Sequence, residues 1–166
     1  MIHTSTLSTH PTQSTPVPAV PLFKTALIDK VFFVRWEQPP SEDIIQQAEL
    51  SFINAYNSLK QPMCVVVTTA PRARVPNSNE RKNINKMLED HRKYCAELHL
   101  VVEGNELQHN LQRVIVSGML ILTRTYDDQF ARVHKTADTV APYLSNRLGV
   151  DGVKVVAEAR LRGLVL

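Results

Sequence analysis

From residue 29 to residue 149 this chain alternates short β-branched or aromatic runs with amphipathic helical stretches, and that alternation leaves few folds open. Strands joined through helices pair in parallel, so the pattern predicts an α/β domain built on a mostly parallel sheet. Phe23 to Leu27 and Val31 to Trp36 have the composition of two strands meeting at Asp29-Lys30, a hairpin that makes the first strand an antiparallel edge. Ser41 then caps a helix with Glu42 and Asp43 in its first turn, and Ile44, Ala48, Phe52, Ala55 and Leu59 share one face. Met63 to Thr68 is a continuous apolar run, as expected of a strand covered on both sides.

Asn77 and Glu80 have capping-box spacing ahead of a second helix, whose inner stripe is Ile84, Leu88, His91 and Cys95. Leu98 to Val102 follows as a strand. A third helix places Leu107, Leu111, Val114, Gly118 and Leu122 on one face, and Phe130 to His134 is the last strand. Thr136 opens a fourth helix carrying Val140, Leu144 and Leu148, with Pro142 positioned to kink it and Gly149 to end it. Right-handed crossovers that progress in one direction put the helices mainly on one face. The other face is then less covered, which fits Arg35, His99 and Arg132 within strands. Trp36, Phe52, Val66 and Leu100 are expected in one core.

Three segments follow. Residues 1–22 are Ser-, Thr- and Pro-rich and are expected to be a disordered leader. Residues 23–150 form the α/β domain. Residues 151–166 suit a strand or a helix by periodicity, and their Ala, Glu and Arg content favours the helix. A length of 166 residues allows one domain with a proper core. The net charge of +3 is spread rather than blocky, so nucleic acid is not an indicated partner. Cys64 and Cys95 lie in apolar-periodic segments and are expected to be buried free thiols. The leader lacks the basic and apolar regions of a signal peptide. Val114 to Leu122, the longest apolar-rich stretch, is far short of the roughly 20 residues of a bilayer span. A cytoplasmic protein without a membrane span is the expectation.

The element order over residues 23–149 comes with three stretches of local texture: Val31-Phe32-Phe33-Val34-Arg35-Trp36, Leu98-His99-Leu100-Val101-Val102-Glu103-Gly104, and Leu144-Ser145-Asn146-Arg147-Leu148-Gly149-Val150-Asp151. Together these resemble the STAS fold of bacterial anti-sigma-factor antagonists, and more specifically the divergent STAS-like proteins found in myxobacteria. The resemblance implies a regulatory protein–protein interaction domain without catalysis of its own. In that family a phosphorylatable Ser beside an Asp sits where the third strand passes into the second helix. The corresponding junction here, Thr68 to Ser78, is long and lacks the Asp-Ser pair. Ser78 is the nearest positional match and Thr69 the second.

The same junction carries Arg72 and Arg74, and Arg81 follows the helix start. Free N–H groups and the positive dipole end could there hold a phosphate or carboxylate. A solvated charged loop is the plainer reading. The histidines lie on different elements with no local zinc spacing, and His99 and His134 meet only if their strands are neighbours. Asp127-Asp128 has the character of a solvated turn, and Ser117-Gly118 falls inside a helix rather than at a nucleophile elbow. No catalytic, cofactor-binding or metal-binding residue is assigned. The third helix is apolar around much of its circumference, so Val116, Leu120 and Ile121 mark a candidate partner surface unless the tail, ending in Leu164-Val165-Leu166, covers it.

The leading expectation is a non-enzymatic module that binds another protein, with a homodimer among the candidate assemblies. The alternative is a domain for a small apolar ligand or lipid. A concave apolar cavity with converging polar groups would favour the alternative.

Overall fold

The computed structural model describes residues 21–104, 107–122 and 130–166. β1 (Phe23–Ile28) and β2 (Val31–Trp36) pair antiparallel from Ile28↔Val31 to Phe23↔Trp36. Asp29 makes the tight turn at φ 53°, the left-handed region that Asp tolerates better than bulkier residues. From β2 onward strands and helices alternate: α1 (Glu42–Leu59), β3 (Met63–Thr69), α2 (Ser78–His91), β4 (Cys95–Val102), α3 (Leu107–Leu122) and β5 (Ala131–His134). Each of β3, β4 and β5 is parallel to its predecessor, and the sheet order is β1-β2-β3-β4-β5. The chain is thus α/β, with an antiparallel N-terminal edge strand on an otherwise parallel sheet. α4 (Ala141–Leu148) and α5 (Gly152–Leu161) complete it.

The period of two in the strands sorts side chains into two cores. Phe32, Val34, Trp36, Met63, Val65, Leu98 and Leu100 meet Ala48, Phe52 and Ala55 of α1, with α2 and Val116 of α3 packed alongside. Val31, Phe33, Cys64, Val66 and Val101 meet Val140, Ala141 and Leu144 before and within α4, and Val155, Val156 and Ala159 of α5. The three crossover helices therefore share one face, and α4 and α5 cover the other.

Five expectations change. Val66 lies in the α4–α5 core, opposite Trp36, Phe52 and Leu100, because it is one residue out of step with Val65 and Val67. The second face is well covered: His99 is fully buried and Arg35 nearly so. Among the described residues, the C-terminal tail packs on the face away from α3. Leu164 and Val165 are buried on the α4–α5 face, where Thr68 Oγ1 donates to the Leu164 carbonyl at 2.6 Å and the Glu103 carboxylate accepts from the Leu166 N–H. Cys95 opens β4 rather than closing α2, because a 3-10 turn over Arg92–Tyr94 ends the helix first. Pro142 sits in the first turn of α4, where its missing N–H costs nothing, and so does not kink the helix.

The tail is helical over Gly152–Leu161, with Asp151 as the N-cap. Residues 1–20 of the leader lie outside the described residues, as do Asp127-Asp128 and the side chains of Leu120 and Ile121. Among the described residues no helix is long and apolar enough to cross a membrane.

Candidate functional site

β2, β3 and β4 end at Trp36, Thr69 and Val102, and ligands of open α/β sheets bind beyond such carboxyl ends. Here the chain leaves a cavity of about 100 Å³ between those strand ends and the crossover helices. Trp36, Val67 and Leu100 form its floor, Ile84, Met87 and Leu88 of α2 one wall, and Val116 of α3 another. A second cavity of about 60 Å³ reaches toward Phe52 and Phe130, and Trp36, Val67, Met87 and Leu88 wall both. α2 carries no fully buried residue, and its Met87 and Leu88 are only partly buried against the core.

The rim is the segment between β3 and α2. The structure ties it to α3 by two hydrogen bonds: His109 Nε2 donates to the Pro71 carbonyl at 2.8 Å, and Gln112 Nε2 donates to the Ala73 carbonyl at 2.7 Å. A carbonyl only accepts, so the Gln112 amide orientation is dictated. Its Oε1 is then left buried, on a residue lining the cavity, with no hydrogen-bond partner. An unpaired buried acceptor costs about 1–3 kcal/mol and calls for a donor. Arg74 also lines the cavity, but its guanidinium pairs with Glu80, which holds the Glu80 carboxyl below its ordinary range. Glu80 meanwhile closes the capping box: Asn77 N–H donates to Glu80 Oε2 at 2.8 Å, and Asn77 Oδ1 accepts from Glu80 N–H at 3.0 Å.

A polar cluster lies on the opposite face, beneath α4. Glu97 and His99 of β4 and Arg132 and His134 of β5 point there. His99 Nδ1 is 2.9 Å from His134 Nε2, and His134 Nδ1 is 2.9 Å from Thr139 Oγ1. Tyr143 of α4 lies over both imidazoles, with ring centroids at 5.5 and 5.6 Å. Glu97 pairs with Arg132. Burial, with His134 and Arg132 adding positive charge nearby, pushes His99 down to about 3. Burial and Arg132 push His134 down to about 4. Cys64 sits alongside, its thiol pushed up by burial and by Glu97.

Compared with protein-family models, with curated proteins and with solved structures, the chain matches none.

The residues singled out from sequence divide between these places. Thr69 and Arg74 line the cavity. Ser78 is exposed in the first turn of α2, with Arg81 Nη2 at 3.3 Å from its hydroxyl and Arg81 Nη1 donating to the Pro76 carbonyl. Arg72 is exposed on the rim. Of the candidate partner surface, Val116 is half-buried against the cavity, and Leu120 and Ile121 lie outside the described side chains. Cys95 is a free thiol pushed up to about 12 by burial. Gln112 carried no sequence signal, since one Gln on an apolar helix has no local pattern. His99 and His134 did carry one: their strands are consecutive, and both fall on the polar phase of a period of two.

Proposed function

We propose that this domain binds a small, mostly apolar molecule carrying one hydrogen-bond donor, in the cavity at the carboxyl ends of β2, β3 and β4. The observation that carries this reading is the apolar cavity lined in part by Gln112, whose Oε1 is buried without a hydrogen-bond partner. At about 100 Å³ the site has room for one aromatic ring or a short branched chain. Its polar lining is Gln112, Thr69 and the paired Arg74, with no nucleophile–base pair, so we read the site as a binding site without catalysis.

Phenol and toluene test this, being nearly isosteric and differing by one O–H. Both are expected to bind saturably by calorimetry, with phenol favoured about fivefold for one hydrogen bond. Gln112→Leu is expected to abolish that preference while keeping toluene binding, and Val67→Phe, which fills the floor, to abolish both. Absence of saturable binding by either probe, or a phenol preference that survives Gln112→Leu, would overturn the reading.

The competing proposal is the STAS-like interaction module. Val114 supports it, being 68% exposed on α3. The cavity supports the ligand reading instead, since a filled core with an exposed apolar patch is what would favour a protein partner.

A further inference from the structure

The polar cluster under α4 contains a set of donors that the cavity does not use. In the parallel register of β3 and β4, Cys64 lies opposite Glu97, and His99, two residues on, projects from the same face as Glu97. The Cys64 thiol, one Glu97 carboxylate oxygen and one His99 ring nitrogen all lie within 4.8 Å of one another. None of these residues is more than 4% exposed.

The hydrogen-bond chain behind His99 decides what its free nitrogen presents. The Thr136 carbonyl can only accept, so Thr139 Oγ1 donates its proton there, at 2.8 Å. Thr139 Oγ1 must then accept from His134 Nδ1–H. His134 Nε2 is left with a lone pair and accepts from His99 Nδ1–H. His99 Nε2 therefore carries a bare lone pair, buried, without a hydrogen-bond partner, 3.7 Å from Glu97 Oε1. Glu97 Oε2 is likewise buried without a partner. Two buried acceptors without hydrogen-bond partners thus lie beside a thiol whose S–H is only a weak donor, an arrangement that is costly by itself and that a cation relieves.

We propose that Cys64, Glu97 and His99 bind one divalent metal ion of the zinc class. A thiolate, an imidazole and a carboxylate form the borderline donor set that Zn²⁺ prefers, and three protein donors leave a fourth position for water. Tetrahedral coordination at about 2.0–2.3 Å sets donors about 3.5 Å apart, so the side chains need only small rotations inward. On binding, the Cys64 S–H gives its proton to solvent and the sulfur keeps the electron pair for the metal. Thiolate and carboxylate then balance the ion's two charges, and Arg132 stays on Glu97. The chain His99–His134–Thr139 fixes the tautomer and ring orientation of the ligand, as hydrogen-bonded partners do at metal-bound histidines. A nucleophilic role for Cys64 does not compete, because its 0% exposure keeps a substrate from the sulfur.

The full chain, purified without a polyhistidine tag and stripped with chelator, is titrated with Co²⁺. One equivalent is expected to produce the visible bands of four-coordinate cobalt and a near-ultraviolet thiolate-to-cobalt band, both displaced by one equivalent of Zn²⁺. Cys95→Ala is expected to keep the thiolate band and Cys64→Ala to lose it. His134→Phe, which leaves all three ligands in place, is expected to weaken binding about 10–100-fold. The unsubstituted chain alone can refute the proposal, whatever the variants' stability, since saturation without a thiolate band overturns it. A band that survives Cys64→Ala, or that disappears in Cys95→Ala, overturns it equally.

Discussion

Phe52 shows how one side chain can join elements that are far apart in sequence. It projects from α1 edge-on to Phe32 of β2 at 5.5 Å and to His91 of α2 at 4.9 Å. His91 is held in turn by Nδ1–H donating to the Met87 carbonyl at 2.8 Å and by Glu49 at 3.0 Å from Nε2. Phe52→Ala removes the ring that α1, α2 and the sheet share, beside a cavity that already lacks neighbours to collapse inward. The expected loss is about 3–5 kcal/mol, read as a lower denaturation midpoint with the slope unchanged. That Phe52 faces the core was legible from its spacing with Ala48 and Ala55. Its contact with His91 was not, because the spacing of one helix says nothing about which residue of another will lie opposite.

At the scale of elements, the decisive close approach is between α4 and α5. A Cβ on Gly152 would fall 2.0 Å from the Ala141 carbonyl oxygen and 2.8 Å from its carbon. Both are backbone atoms, so neither side can give way cheaply. Gly152 N–H also donates to Ser145 Oγ at 3.0 Å. Gly152→Ala is expected to separate the two helices and cost at least about 1–3 kcal/mol. Gly118, inside α3 with no neighbour within 4 Å of its would-be Cβ, makes the matched contrast. Gly118→Ala is expected to stabilise by about 0.5–1 kcal/mol through helix propensity. Opposite signs in thermal unfolding of the two variants check the pair of predictions. The sequence marked Gly149 as the helix stop, which its φ of 65° at the C-cap bears out. The reason for Gly152 appears only once α5 folds back on α4.

The whole molecule carries two neutral histidines on its α4 face, and this sets the sign of its response to acid. His99 and His134 have folded values of about 3 and about 4 against an ordinary 6.5. Between pH 6.5 and 4 the unfolded chain binds protons that the folded chain refuses, so stability rises with pH across that window and falls as pH drops through it. Glu103 acts in the opposite direction. Burial raises its carboxyl, so it favours the fold below its ordinary 4.5 and loses that contribution as pH rises further. One carboxyl against two imidazoles leaves the histidines in control. In the presence of chelator, urea midpoints are expected to fall steadily from pH 6.5 to pH 4, and less steeply in His134→Phe. A flat profile over that range would show that the imidazoles take up protons within the fold.

Local pattern settled the architecture but not its second layer. The period-two strands, the Asn77–Glu80 capping box and the α1 stripe are governed by neighbours within a few residues, and each was legible in the chain. So was the antiparallel first strand, because two residues between strands permit no other pairing. The sequence also showed that Cys64, His99 and His134 sit on strands, but not that α4 and α5 would close over that face. That depended on where the chain crosses after β5, which no short-range pattern encodes. The burial of Leu164 away from α3, the free lone pair of His99 and the unpaired oxygen of Gln112 share that origin. Each arises from contacts between residues distant along the chain, whose geometry is decided by how whole elements pack.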